Sequence, residues 1–298
     1  MKGDTGSIRK DWIEVKGVRI HYLVGGKRCN PTIFLHGGGS DSAELSWGSS
    51  LQNFSRTLNC IAPDLPGYGK SEKPDINYNS EYYAHFIQHL CDNLNLSRFS
   101  LVGLSLGGHA SLRFTLKYPD RVEKLILVSP AGLGIPLRWC FLARLMIHMP
   151  RLHEKIRERA GLNTIRMALR NIVYDTTALP NTVVRKVSET LSEPQSGQAW
   201  RTYLDRELGW FKSRDNLFGR LGELRAKTLI IHGAEDRMVP LKQALAAQRA
   251  IPGAQLHVIH RCGHWPQIER PDEFRQVVLN FLGDRTLSNL TTPFPQAH

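Results

Sequence analysis

Five short, uninterrupted apolar runs limit what this chain can become: TIFLH (Thr32 to His36), CIAP (Cys60 to Pro63), SLVGL (Ser100 to Leu104), KLILVS (Lys124 to Ser129) and TLIIHG (Thr228 to Gly233). Each has the length of a strand, and a strand without polar alternation is one buried on both faces, as in a parallel sheet covered by helices. A later run, QLHVIH from Gln255, continues the series. Between the runs lie helical patterns, roughly Ala43 to Arg56, Ser80 to Leu94, Leu106 to Tyr118, Leu241 to Ala250 and Pro271 to Leu282. Strand and helix in alternation predict an α/β fold, a mostly parallel central sheet with flanking crossover helices. Upstream, WIEV and RIHYLV alternate as half-exposed strands do.

The rhythm breaks between Gly134 and Gly219. WCFLARLMIHM, HEKIRERAG and IRMALRNIVYD are helical segments punctuated by Pro136, Pro150, Pro180 and Pro194, with no strand among them. An all-helical insert in a sheet reads as a cap over the sheet's C-terminal edge. The expected division is therefore a core of residues 1–134 and 217–298 with a helical cap of residues 135–216. A length of 298 residues suits one α/β domain with such an insertion.

The chemistry gathers after the strands. Gly103-Leu104-Ser105-Leu106-Gly107 has the form G-x-S-x-G, with a buried strand before Ser105 and a helix after it. Such a turn strains the serine backbone, lifts Oγ above the sheet and puts a helix N-terminus behind it. A serine needs a base. Of the 12 histidines, His264 follows the strand QLHVIH in the loop RCGHWPQIERP, at the same sheet edge as Ser105. His85 and His89 sit one turn apart on a helix and read as surface or packing residues. His36 and His232 end strands before glycines and serve turns. His109, one turn past Ser105, reads as a neighbour of the site rather than its base. The acid that orients the imidazole is expected at Asp236, in AEDRMVP after the strand ending at Gly233, with Glu235 as competitor. His36-Gly37-Gly38-Gly39 offers backbone N–H groups to an oxyanion, with Gly38 and Leu106 as expected donors and Gly39 as substitute for Gly38. Trp265 and Leu104, beside the base and the nucleophile, are expected to line the substrate pocket with Trp139 from the cap, where Phe141, Leu142 and Met146 are further wall residues. Asp64 to Ser71 reads as a structural turn bracing the rim.

Composition removes other classes. The formal net charge is +12 and the pI about 9.7, yet no polybasic run occurs, so a solvated basic surface is preferred to a nucleic-acid site. Arg138, Arg144, Arg151, Lys155, Arg157 and Arg159 keep an anionic membrane surface as a secondary partner. The 5 cysteines are scattered, without a CxxC pair, which points away from disulfides and zinc and toward a reducing, cytoplasmic setting. No apolar h-region opens the chain and no apolar stretch is long enough to span a bilayer. No metal or other cofactor is expected, and oligomeric state is not legible.

With HGGGS, DLPGYGKS, GLSLGG, GAEDRMVP and CGHW together, the chain resembles the α/β-hydrolase superfamily over nearly its whole length, where nucleophile, acid and base also follow in the order Ser, Asp, His. Within it, YPDRVEKLILVSPAGLG and RCGHWPQIERPDEF resemble the meta-cleavage product hydrolases, which split carbon–carbon bonds in aromatic degradation products. That group usually carries asparagine where this chain has Leu104 and tryptophan where it has Ile268. It also uses a cap arginine to hold the substrate carboxylate; Arg185 lies nearby without matching firmly. Epoxide hydrolases and haloalkane dehalogenases place aspartate at the elbow, so Ser105 sets this chain apart from them. Two classes of function follow. The leading one is a serine hydrolase of an ester or related acyl bond on a substrate with an apolar part, with a carbon–carbon hydrolase of a 2-hydroxy-6-oxo-dienoate as alternative. The other class is a non-catalytic binding protein of the same fold, which an intact triad disfavours.

Overall fold

The computed structural model describes residues 7–26, 31–133, 161–193, 195–209 and 214–284. Eight strands form one sheet: β1 (Arg9–Val15), β2 (Val18–Gly26), β3 (Pro31–Leu35), β4 (Asn59–Pro63), β5 (Phe99–Leu104), β6 (Val122–Val128), β7 (Lys227–Gly233) and β8 (Gln255–Ile259), in the order β1-β2-β4-β3-β5-β6-β7-β8. β1–β2 and β2–β4 pair antiparallel, and every pair from β4–β3 to β7–β8 is parallel. The expected α/β architecture is thus present, with each expected strand within three residues of its place.

The continuous apolar runs have a direct cause. Successive side chains of a strand point to opposite faces, and here both faces are covered. Ile33, Leu35, Leu101, Leu125, Leu127 and Ile230 enter the core under α2 (Ser80–Asn93) and α3 (Leu106–Lys117). Phe34, Val102, Leu104, Ile126, Val128 and Ile231 enter the core under α1 (Ala43–Phe54). α1 and α2 start where side chains satisfy exposed amides: Ser42 accepts from the Leu45 N–H at 3.1 Å and Asn79 from the Tyr82 N–H at 2.7 Å. α1 stops at Phe54, two residues before the sequence pattern ends.

Between β6 and β7 the described elements are helical: α4 (Leu162–Ala168), α5 (Asn181–Ser192) and α6 (Gln198–Glu207). After β7 come α7 (Leu241–Ala250), a one-turn α8 (Pro266–Glu269) and α9 (Pro271–Leu282). α8 was not expected; Pro266 at its first position is the signal for it. Among the described residues no helix is long and apolar enough to cross a membrane.

Candidate active site

Because β3, β5, β7 and β8 run parallel, the loops that follow them open on one edge of the sheet. That edge receives the glycine loop after β3, Ser105 after β5, Asp236 after β7 and His264 after β8, and ligands of open α/β sheets bind at this edge.

Ser105 sits in the turn between β5 and α3 with φ 50° and ψ −109°, a strained combination for a residue with a side chain. Its amide donates to the Val128 carbonyl at 2.9 Å, extending the sheet by one bond past the strand end. The turn needs glycine behind it: a methyl group on Gly107 would overlap the carbonyl oxygens of Leu35 and His36. Leu106 begins α3, so its amide belongs to the unpaired first turn of that helix.

Asp236 and His264 are joined directly. The carboxylate Oδ2 lies 2.7 Å from the imidazole Nδ1, and both side chains are buried. Oδ1 accepts from the amides of Met238 (2.8 Å) and Val239 (2.9 Å), which holds the carboxylate plane. Burial pushes the Asp236 carboxyl up, but the charge and hydrogen bond of His264, with the charge of His232, outweigh it and leave the group below the ordinary carboxylate range. With Nδ1–H given to Asp236, Nε2 is the basic nitrogen, and among the described residues it makes no hydrogen bond. Ser105 Oγ and His264 share no hydrogen bond among the described residues; bonds of this kind are often long in empty sites and close with substrate.

Glu235, the competing acid, is engaged elsewhere: its carboxylate accepts from the Cys262 amide at 2.9 Å and ties the loop after β7 to the loop after β8. His232, read as a turn residue, does serve the turn, with Nε2 2.8 Å from the Val239 carbonyl. It also lies 3.5 Å from Asp236 Oδ2. Burial pushes its pKa down, against the pull of the Asp236 carboxylate.

The loop after β3 is built from both ends. His36 Nε2 accepts from the Leu65 amide at 2.9 Å, which leaves its Nδ1–H for the Gly37 carbonyl at 2.7 Å. Asp41 accepts from the Gly37 amide and the Ser46 hydroxyl, at 2.8 and 2.7 Å. Gly37, next to Gly38, is therefore held at both amide and carbonyl, and Gly39 takes φ +76°. The DLPGYGKS turn braces this rim as expected: Asp64 accepts from the Ala43 and Lys70 amides at 2.8 and 2.9 Å and meets His21 Nδ1 at 2.8 Å.

Leu104 is wholly buried in the apolar core and Trp265 is nearly so. Ile268 packs partly buried against the same cluster. Arg185 lies exposed on α5. Trp139, Phe141, Leu142 and Met146, and the basic residues from Arg138 to Arg159, lie outside the described residues. The segment between β6 and β7 nevertheless touches the site in two places. The His264 amide donates to the Ile172 carbonyl at 2.6 Å, and the indole of Trp200 rests on Gly38.

Sequence reasoning missed a second buried cluster. His109 has Nδ1 2.7 Å from the Tyr203 hydroxyl and Nε2 3.0 Å from Asp215 Oδ2. Asp215 also pairs with Arg113 and accepts from the Ser80 hydroxyl at 2.5 Å. Ligand atoms of His109, Glu207 and Asp215 lie within 4.8 Å of one another, a spacing that suits a cation, but the Arg113 guanidinium already supplies the positive charge at Asp215.

Residues 30–271 match the family model described as alpha/beta hydrolase fold. A 2-hydroxy-6-oxononadienedioate/2-hydroxy-6-oxononatrienedioate hydrolase of Escherichia coli is 32% identical over 278 residues, which is 90% of this chain and 92% of that one. A meta-cleavage product hydrolase of Pseudomonas fluorescens superposes with a TM-score of 0.78 at 27% identity, covering 92% of this chain and 97% of that chain. An esterase of Thermogutta terrifontis has the same fold, with a TM-score of 0.76 at 24% identity over 93% of this chain and 98% of that one.

Proposed function

The chain belongs to the α/β-hydrolase family, and from that premise we propose that it is a serine hydrolase acting on the carbon–carbon bond of a 2-hydroxy-6-oxo-dienoate. The observation that carries the reading is the resemblance to the dienedioate hydrolase, which runs through nine-tenths of the chain. This shifts the balance from the ester preferred on sequence alone. Ser105 acts as nucleophile, His264 as base and Asp236 as the acid that orients it. Gly38 and Leu106 donate to the oxyanion. Residues 135–216 act as a cap, a role supported by the contacts of Ile172 and Trp200 with the site. The setting is taken to be reducing and cytoplasmic, in keeping with the buried free thiols of Cys60, Cys91 and Cys262.

In this reaction the proton of the 2-hydroxyl is first moved to carbon 5, so that carbon 5 becomes a leaving group conjugated to the new 2-oxo group. Ser105 Oγ then adds to the 6-oxo carbon and its proton passes to His264 Nε2. The tetrahedral oxyanion collapses, the bond between carbons 5 and 6 breaks, and its electron pair spreads to the oxygen on carbon 2. The proton on His264 completes the dienol product. Water, activated by the same histidine, releases the acyl group as a carboxylic acid. No nucleic acid enters this scheme; the partner is a small molecule with a conjugated, partly apolar body.

Ester hydrolysis is the second reading, and Leu104 favours it. A leucine buried beside the nucleophile offers no polar group for steering a proton along a dienoate, whereas a triad with an oxyanion hole suffices for activated esters. A side-by-side assay decides between them. Loss of the dienoate chromophore should proceed with a larger kcat/KM than hydrolysis of any short-chain p-nitrophenyl ester. Preference for the esters would reverse the assignment. In either assay Ser105→Ala should lower kcat by about 10³-fold or more.

A further inference from the structure

α6 reaches the oxyanion loop through one side chain. The six-membered ring of Trp200 lies so close to Gly38 that a methyl group there would overlap Cζ3 and Cε3. The indole is stacked on Tyr203, with 5.5 Å between centroids and 13° between planes. Tyr203 is fixed from its hydroxyl, which shares a hydrogen bond with His109 Nδ1 at 2.7 Å; His109 Nε2 faces Asp215 Oδ2 at 3.0 Å. His109 stands on α3 one turn past Ser105, and its amide donates to the Ser105 carbonyl at 3.0 Å. The contacts thus form one run, from the nucleophile's helix through His109, Tyr203 and Trp200 to Gly38 across the site. α6 is also tied along its length: Gln198 donates to Asp75 at 2.9 Å, Arg206 to Asn77 at 2.7 Å, and Glu207 accepts from the Ser80 amide at 2.6 Å.

We propose that Trp200 is a positioning residue for the Gly38 amide, and that the run of polar contacts from Asp215 through His109 to Tyr203 holds Trp200 in place. The inference rests on the reading of Gly38 as an oxyanion donor. A glycine peptide turns at little cost because no side chain limits φ and ψ, so a donor in a glycine loop is preorganised only if something presses on it. Asp41 holds the Gly37 amide and His36 Nδ1–H holds the carbonyl of the Gly37–Gly38 peptide; Trp200 bears on the Gly38 α-carbon, past that peptide. Oxyanion donors are effective because they need no reorganisation when charge develops, and a displacement near 1 Å at such a site costs roughly 100-fold. A wall residue would instead set how well substrate binds before reaction. The two roles therefore separate in kinetics.

The test uses the rate at which a fluorophosphonate labels Ser105, resolved into binding and bond-forming constants, with the affinity for phenylboronic acid, whose tetrahedral adduct uses the same donors. Trp200→Ala should lower the bond-forming constant about tenfold, weaken phenylboronic acid in parallel and leave the binding constant within about twofold. Gly38→Ala should lower labelling roughly 100-fold, because the new methyl displaces the ring and the loop together. Adding Trp200→Ala to it should cost nothing further, since both changes act on one contact. If Trp200→Ala proves unfolded by circular dichroism, Tyr203→Phe carries the test: it keeps the stack, removes the bond to His109, and should slow bond formation by roughly threefold or more. Additive losses in the double variant, or a Trp200→Ala effect confined to the binding constant, would overturn the proposal. Equal labelling of wild type and both Trp200→Ala and Tyr203→Phe would do the same. A wild type that is never labelled removes the serine-hydrolase reading itself, an outcome distinct from labelled wild type with unaffected variants.

Discussion

Two of the fold's aspartate–histidine pairs, Asp236–His264 and Asp215–His109, are told apart by their neighbours. In Asp236–His264 the carboxylate is held by two backbone amides and the imidazole keeps Nε2 without a hydrogen-bond partner among the described residues. In Asp215–His109 the carboxylate also meets Ser80 and Arg113, and the second ring nitrogen is taken by Tyr203. An imidazole with one nitrogen oriented and the other open moves a proton; one held at both nitrogens by fixed partners transmits position. Aspartate beside histidine is thus no signature of catalysis by itself. What distinguishes the first pair is its place in loops after parallel strands, on the sheet edge that also carries Ser105.

The largest expected effect tests that distinction at the carboxylates. Asp236→Asn turns an acceptor into a donor toward Nδ1, forces the other tautomer on His264 and leaves no basic Nε2. Turnover should fall by roughly 10³- to 10⁴-fold with the fold intact. Asp215→Asn should lower turnover only about tenfold, through a loosened α6. Losses of equal size, read as kcat on one substrate, would erase the contrast.

The first pair was legible in the sequence and the second was not, for a physical reason. Each residue of the first follows a strand, and buried strands announce themselves as apolar runs ended by glycine, so Ser105, Asp236 and His264 could be placed on one edge before any contact was known. The second joins α3 to residues about a hundred positions later. Tyr203 sits on α6, whose pattern reports only that it is helical, and Asp215 in a bend after it, and nothing local says which core residue each will meet. Trp200 was hidden likewise: Gly38 was read for what it offers an oxyanion, and the same missing side chain is what admits the indole. Arg185, singled out by a family feature and not by its own pattern, is exposed on α5.

Stability should order the pairs in reverse. Asp215→Asn leaves Arg113 and His109 without their shared anion and should cost about 2 kcal/mol in urea unfolding, the scale for hydrogen bonds to charged groups. A cost below about 0.5 kcal/mol would mean that the cluster is solvated and holds nothing.

The same substitution has a pH signature. Burial raises the Asp215 carboxyl, but the bond and charge of His109, with Ser80 and Arg113, outweigh it and hold the group well below its ordinary range. A carboxyl depressed in the folded state binds protons less readily there than in the unfolded chain. Its contribution is complete above about pH 4, the ordinary aspartate value, and is lost as pH falls through the folded value. The stability gap between wild type and Asp215→Asn should therefore be constant from neutrality to about pH 5 and narrow below about pH 4. A gap that widens with acid would show that the carboxyl is raised.

The smallest expected effect belongs to the neighbour of the proposed catalytic acid. Glu235 and Asp236 are adjacent, and both carboxylates are used, yet Glu235 accepts from the Cys262 backbone amide where Asp236 meets an imidazole. A backbone amide asks only for an oxygen acceptor, which glutamine retains. Glu235→Gln should lose the charge-assisted part of one hydrogen bond, about 1 kcal/mol or less, and change kcat less than about twofold, because neither the tautomer nor the orientation of His264 depends on it. Glu235→Ala goes further: it frees the link between the loops after β7 and β8 and should reduce kcat more than the glutamine variant does. If Glu235→Gln instead approached the loss of Asp236→Asn, the charge at position 235 would be orienting His264, and the division between the catalytic acid and its structural neighbour would have to be redrawn.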